Sequence, residues 1–182
     1  MKIRIAILSS LLLVVIILVG FFIMQNRKIN SIKVAVSYHP TTPDPLEYDD
    51  FVHHVIFGSV FSNLVTQYRL GQHTPEIAES WSSSLDHTKW HFIIRKDLKF
   101  SNGDDISPKI IVASLLRVAK KMKSKKSNSG FLEFLEGYEE LKNTSENIKG
   151  LYQKDNSVFL NFKKPMPELL DKISFGLYSI VH

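Results

Sequence analysis

Residues 75–117 read PEIAESWSSSLDHTKWHFIIRKDLKFSNGDDISPKIIVASLLR, and this stretch decides the fold. The tetrad Ala78-Glu79-Ser80-Trp81 sets a small residue beside an indole, which predicts a short buried turn. From Lys89 to Arg95 the residues alternate. Trp90, Phe92 and Ile94 face one way and His91 and Arg95 the other, the pattern of a half-buried strand. Lys96-Asp97 predicts a turn, Leu98-Lys99-Phe100 a returning strand that closes a hairpin, and Ser101-Asn102-Gly103-Asp104 a further turn. Ser107-Pro108 opens a helix, with the serine hydroxyl as N-cap and proline in the first helical position. Ile110, Ile111, Ser114, Leu115 and Val118 then recur at helical spacing.

Upstream, Lys2 and Arg4 precede an uncharged apolar run from Ile5 to Met24. At 1.5 Å per residue it extends about 30 Å, the thickness of a bilayer core. It lacks an Ala-x-Ala site and runs on through Phe21, Phe22 and Ile23 to Arg27-Lys28, which favours an uncleaved anchor over a cleaved signal. Basic residues flank both ends, so charge alone does not set its orientation. Ile32 to Ser37 predicts a strand, ended by the proline-rich turn Tyr38 to Pro45. Next comes a helix with Asp49 or Asp50 as cap and Val52, Val55, Ile56, Ser59, Val60 and Leu64 as its apolar face.

Downstream, the lysine-rich run Lys120 to Lys126 reads as a helix C-terminus fraying into a solvated loop. It has no interleaved aromatics or arginines of the kind a nucleic-acid surface carries. Phe131 to Leu141 predicts a short amphipathic helix containing Gly137. Ile148 to Gln153 and Ser157 to Lys163 predict a hairpin around Asp155-Asn156, with Val158, Leu160 and Phe162 on one face. Pro165 and Pro167 bracket a turn before a helix from Glu168 to Ile173.

The chemistry available is narrow. A chain of 182 residues without cysteine has no thiol nucleophile, disulfide or cysteine-based metal site. Net charge is +5, mild for this length. Asp49-Asp50 and His53-His54 are adjacent on a helix, so their side chains diverge by about 100° and cannot share a proton or a metal. His87 and His91 are four apart, but on a turn and a strand rather than a helix, and no metal site is expected. No nucleophile–base pair and no glycine-rich phosphate loop occur, which argues against a hydrolase.

The order A-E-S-W, a strand ending I-R-K, then L-K-F-S-N-G-D and a capped helix reading V-x-S-L-x-R resembles the family 5 extracellular solute-binding proteins, receptors of oligopeptide-, dipeptide- and nickel-type ABC importers. Asp44-Pro45-Leu46, Phe61-Ser62-Asn63-Leu64-Val65 and Phe162-Lys163-Lys164-Pro165 extend the resemblance over residues 32–182. Asp105 and Lys109-Ile110 depart from the family pattern at the helix start. The resemblance implies an α/β (α+β mixed) fold: a periplasmic-binding-protein-like class II fragment with mixed sheet and hairpins, preceded by one transmembrane helix. It divides the chain into a signal anchor at 1–28 and a partial solute-binding domain at 29–182, the latter outside the cytoplasm. The implied partners are a peptide or other small solute, an ABC permease, and the membrane through residues 5–24; no cofactor, metal, nucleic acid or catalysis is implied. Tyr48, Asp49, Asp50 and Phe51, at the cleft loop and helix entry, are the implied ligand contacts, with Phe131 by analogy to a family aromatic. Because family members are much longer and close two lobes on their ligand, this amino-terminal part is expected to bind ligand poorly or not at all unless another polypeptide supplies the rest, and a truncated or split gene product with a scaffold role is the alternative.

Overall fold

Trp90, Phe92 and Ile94 turn inward from a strand whose two edges are both occupied. In the computed structural model this strand is β4 (Lys89–Ile94), the second of four in the antiparallel sheet β3-β4-β6-β5, with β3 at Ala78–Ser83, β5 at Leu151–Lys154 and β6 at Ser157–Asn161. The structure describes residues 12–22, 33, 35, 42–47, 51–125 and 130–182. The chain divides into two compact units, Met1–Val36 and Ser37–His182.

In the first unit, helix α1 is described over residues 12–22, and its described side chains are exposed. Among the described residues no helix is long and apolar enough to cross a membrane. The rest of the expected span 5–24, like most of the expected strand Ile32 to Ser37, lies outside them.

In the second unit, α2 (Phe51–Val60) leads to a hairpin of β1 (Val65–Arg69) and β2 (Gln72–Pro75). The helix forms but ends at Val60, short of the expected Leu64; among its residues of described burial Phe57 is buried, its ring meeting Phe61 edge-on at 5.5 Å, while Val60 is 69 % exposed. The β1–β2 hairpin turns at Leu70-Gly71, with Gly71 at φ +70. Only Val65 of the five β1 residues is buried, so no alternation announces this hairpin.

The sheet itself corrects three expectations. Ala78 to Trp81 is no turn but the start of β3, with Trp81 opposite Phe92 in the β3–β4 ladder. Leu98 to Phe100 does not return along β4, because β3 and β6 already hold both its edges. Asp97, at φ +61, diverts the chain, and Lys99 bridges Asp105 instead. The real hairpin closes through residues 84–88. There the Asp86 carboxylate accepts from the Ser84 hydroxyl (2.6 Å), the Thr88 N–H (3.1 Å) and the Thr88 hydroxyl (2.9 Å), which lowers the Asp86 pKa to about 2. Finally, every strand pairing among the described residues is antiparallel, so the sheet is mixed with helices but not mixed in direction.

The expected β5–β6 hairpin forms around Asp155-Asn156, with Val158, Leu160 and Phe162 inward. Helix α3 (Pro108–Ser124) packs on β5 and β6 and buries Ile111, Val112, Ser114, Leu115, Leu116, Val118 and Ala119. Pro108 occupies its first turn, but the Ser107 hydroxyl makes no capping bond. The Ser107 carbonyl instead accepts the N–H groups of Ile110 (3.0 Å) and Ile111 (3.2 Å). The helix expected over Phe131 to Leu141 is broken at Gly137, whose φ of +80 is left-handed. It becomes two 3-10 turns, Gly130–Phe134 and Tyr138–Glu140. Between them the Glu136 N–H donates to Asn161 (3.0 Å) and the Glu136 carbonyl accepts from Gly150 (2.7 Å), which ties the break to the sheet. Helix α4 (Leu169–Ile173) follows the two prolines as expected.

Candidate ligand cleft

The Asp44-Pro45-Leu46 motif folds into the 3-10 turn Pro45–Glu47, held from within by its aspartate. Asp44 Oδ1 accepts the Leu46 N–H at 2.9 Å, and the Asp44 carbonyl accepts the Glu47 N–H at 3.0 Å. Helix α3 then clamps the turn from outside. Arg117 reaches Asp44 at 2.5 Å, while Lys121 (2.9 Å) and Lys125 (3.5 Å) reach Glu47. The Arg117 hydrogen bond, with the Leu46 N–H adding to it, holds the Asp44 carboxyl below its ordinary range against a smaller desolvation effect. The Lys121 hydrogen bond does the same for Glu47. Apolar residues seat the turn as well, since Pro45 and Leu46 are buried and the turn packs against the 3-10 turn Gly176–Tyr178.

Of the five expected ligand residues, Tyr48, Asp49 and Asp50 lie outside the described residues, immediately after this clamped turn. Phe51 opens α2. Phe131 lies in the core, with no exposed surface, its ring 4.6 Å from Tyr178 and 6.2 Å from Phe162. Its link to the loop is indirect, since Tyr178 belongs to the turn that packs on Pro45–Glu47.

A groove of about 900 Å³ opens beside the clamp. Asp44 and Leu46 close one end, α3 forms one wall through Lys109, Ala113 and Lys120, and loop 143–147 forms the other, bordered by Tyr152 and Gln153 of β5. The lysine-rich segment is largely committed within the molecule. Lys121 and Lys125 pair with Glu47, and Lys123 Nζ donates to the carbonyls of Tyr138 (3.0 Å), Glu139 (2.6 Å) and Leu141 (2.9 Å). The histidines are likewise engaged separately: His87 Nδ1 with the Ser83 hydroxyl (3.0 Å), and His91 stacked on Phe159 at 4.5 Å.

Two residues that sequence reasoning placed in a helical stripe or a motif, without a role, hold the chain around this site. Arg117 fixes the loop, and the buried Ser114 hydroxyl bonds both backbone groups of Val181. The signal was the V-x-S-L-x-R pattern, in which Ser114 and Arg117 are three apart on one side of the helix.

Residues 72–182 match the family model described as bacterial extracellular solute-binding proteins, family 5 Middle. The periplasmic oligopeptide-binding protein OppA of Haemophilus influenzae is 34% identical over 68 residues, which are 37% of this chain and 13% of that protein. Two solved structures share the fold. The H. influenzae OppA complex with the peptide RPPGFSPFR is 22% identical, with a TM-score of 0.67, over 76% of this chain and 28% of the other. A periplasmic oligopeptide-binding protein (OppAIV) from Borrelia burgdorferi is 25% identical, with a TM-score of 0.65, over 78% and 29%. The chain therefore spans less than a third of the length of these relatives, which are solute-binding proteins and not enzymes. With more than half of its residues matched in register to one model, and the same fold in its neighbours, this chain belongs to the family 5 bacterial extracellular solute-binding proteins.

Proposed function

We propose that the chain is the substrate-binding component of an ABC importer for peptides, present as its amino-terminal part. The observation that supports this most is the family match over residues 72–182, which joins the sheet, α3 and the 131–178 segment in one continuous pattern. In this reading binding involves no covalent chemistry. Backbone groups pair with an extended peptide, and the loaded receptor is presented to a membrane permease. Tyr48, Asp49, Asp50 and Phe51 meet the ligand, carried by the turn that Arg117 and Lys121 hold. Phe131 serves them through Tyr178, from within the core. The apolar run 5–24 anchors the chain in the cytoplasmic membrane, with residues 29–182 on the extracytoplasmic side.

A second reading is a membrane-tethered scaffold that binds no ligand by itself, because a closing cleft needs two bodies. Calorimetric titration of the full chain with a mixed peptide library separates the two. Saturable heat supports the receptor, and its absence supports the scaffold. Protease accessibility of residues 29–182 in sealed, right-side-out vesicles tests the orientation, and protection there overturns it.

A further inference from the structure

We infer that the groove beside α3 is a docking site for an extended acidic peptide, which adds as a fifth strand along the free edge of β5. This concerns the groove alone and stands apart from the import reading, since every wall it uses lies within residues 44–153.

Three independent features converge there. The sheet order β3-β4-β6-β5 leaves β5 lateral; among the described residues no named strand pairs with its outer edge, where Ile148 bridges Leu151 and its carbonyl accepts the Leu151 N–H (3.1 Å) while Gln153 lies beyond that bridge. An unpaired edge presents a row of backbone donors and acceptors, which an extended segment satisfies by strand addition. The groove lies against that edge: Tyr152 and Gln153 border it, and about 900 Å³ holds several residues of extended chain. The opposite wall supplies the charge preference. Arg117 and Lys121 are neutralised by Asp44 and Glu47, but Lys109 and Lys120 form no ion pair among the described residues. They lie eleven positions apart on α3, three turns and about 16 Å, with the small Ala113 between them. On an extended strand, same-face side chains at i and i+4 are about 13 Å apart and those at i and i+6 about 20 Å; the Lys109–Lys120 spacing falls between the two, within the reach of flexible lysine and glutamate side chains. Glu146 is the single carboxylate on the facing loop without an ion pair, and it leaves the groove net cationic.

The test titrates the full chain with four octapeptides: alternating Glu-Val, its Gln-Val and Lys-Val counterparts, and Glu-Val with alternate backbone nitrogens methylated. The expected result is that Glu-Val binds about tenfold tighter than Gln-Val, the effect of two exposed charge pairs. Lys-Val should not bind, and N-methylation should abolish binding. Lys109→Gln with Lys120→Gln should remove the tenfold preference of Glu-Val over Gln-Val, and in the unsubstituted chain the Gln153 amide should become protected from hydrogen exchange when Glu-Val is bound. Equal affinity for Glu-Val and Gln-Val overturns the acidic preference, and undiminished binding of the methylated peptide overturns strand addition. Binding of none of the four overturns the inference entirely. Heat from the mixed library with none from Glu-Val overturns this inference and leaves the import reading in place.

Discussion

The Ser114 hydroxyl is bonded twice to Val181: it donates to the carbonyl at 2.9 Å and accepts the N–H at 3.1 Å. A serine 4 % exposed in the middle of a helix thereby does for the last residues what a neighbouring strand would do, satisfying both backbone groups at once. Beside it, the Ile180 N–H donates to the Ser62 carbonyl at 2.9 Å. Ser114→Ala removes the hydroxyl and both bonds without adding bulk, leaving two backbone groups of Val181 without these partners. Unfolding of the full chain in urea should show a loss of about 1–3 kcal/mol, and Ser114→Thr, which restores the hydroxyl, should recover most of it.

Arg117 and Asp44 give a pH signature. The Asp44 pKa is lowered in the folded chain, chiefly by its hydrogen bond to Arg117. Its contribution to stability is therefore present above the ordinary carboxylate value of about 3.9 and is lost as pH falls through the lowered one. Both side chains are partly exposed, so the pair contributes about 1 kcal/mol at most. Arg117→Gln should cost that amount at pH 7 and nothing at the acid end. Carboxyl-carbon NMR should show Asp44 titrating at a higher pH in the variant.

Gly150 sits where two backbones pinch. A Cβ there would lie 2.4 Å from the Glu136 nitrogen and 2.5 Å from the Asn161 oxygen, neither of which can swing aside. Gly150→Ala should cost about 1–3 kcal/mol, towards the upper end because backbone must move. It should also raise hydrogen exchange at Glu136 and Asn161, whose N–H groups donate across the pinch.

Burial pushes the Tyr178 hydroxyl up to about 12, with the Glu133 charge adding to it. A tyrosine whose folded pKa is raised contributes stability that is full below the unfolded value of about 10 and falls away as pH rises towards 12. Two pKa units correspond to about 3 kcal/mol. Alkaline denaturation should steepen between pH 10 and 12, and Tyr178→Phe should flatten that slope.

Local signals were legible where one residue settles the backbone. Pro108 starts α3, Asp155-Asn156 turns the β5–β6 hairpin, and Val158, Leu160 and Phe162 face inward as their alternation requires. The misreadings arose where a distant segment decides. Leu98 to Phe100 has strand character, but β6, some sixty residues away, takes the edge of β4 it would have used. Phe131 to Leu141 has helical periodicity, yet ties from Asn161 and Gly150 at Glu136 favour the break at Gly137. The turn at Pro45–Glu47 was legible as Asp-Pro-Leu, whereas its clamp was not. Nothing in the spacing of Asp44 and Arg117, 73 positions apart, joins them before the fold does.

Such separations also set the order of events during synthesis. Asn63 waits for the Ser174 carbonyl, 111 positions later (2.6 Å), and Ser114 waits for Val181, 67 positions later. A nascent chain halted near residue 170 would thus have a finished sheet but an untied segment at Asn63 and an unsealed flank on α3. Long-range closures of this kind slow folding and keep apolar surface open while translation proceeds. Consolidation of this body therefore waits until residues 174–181 have cleared the ribosome.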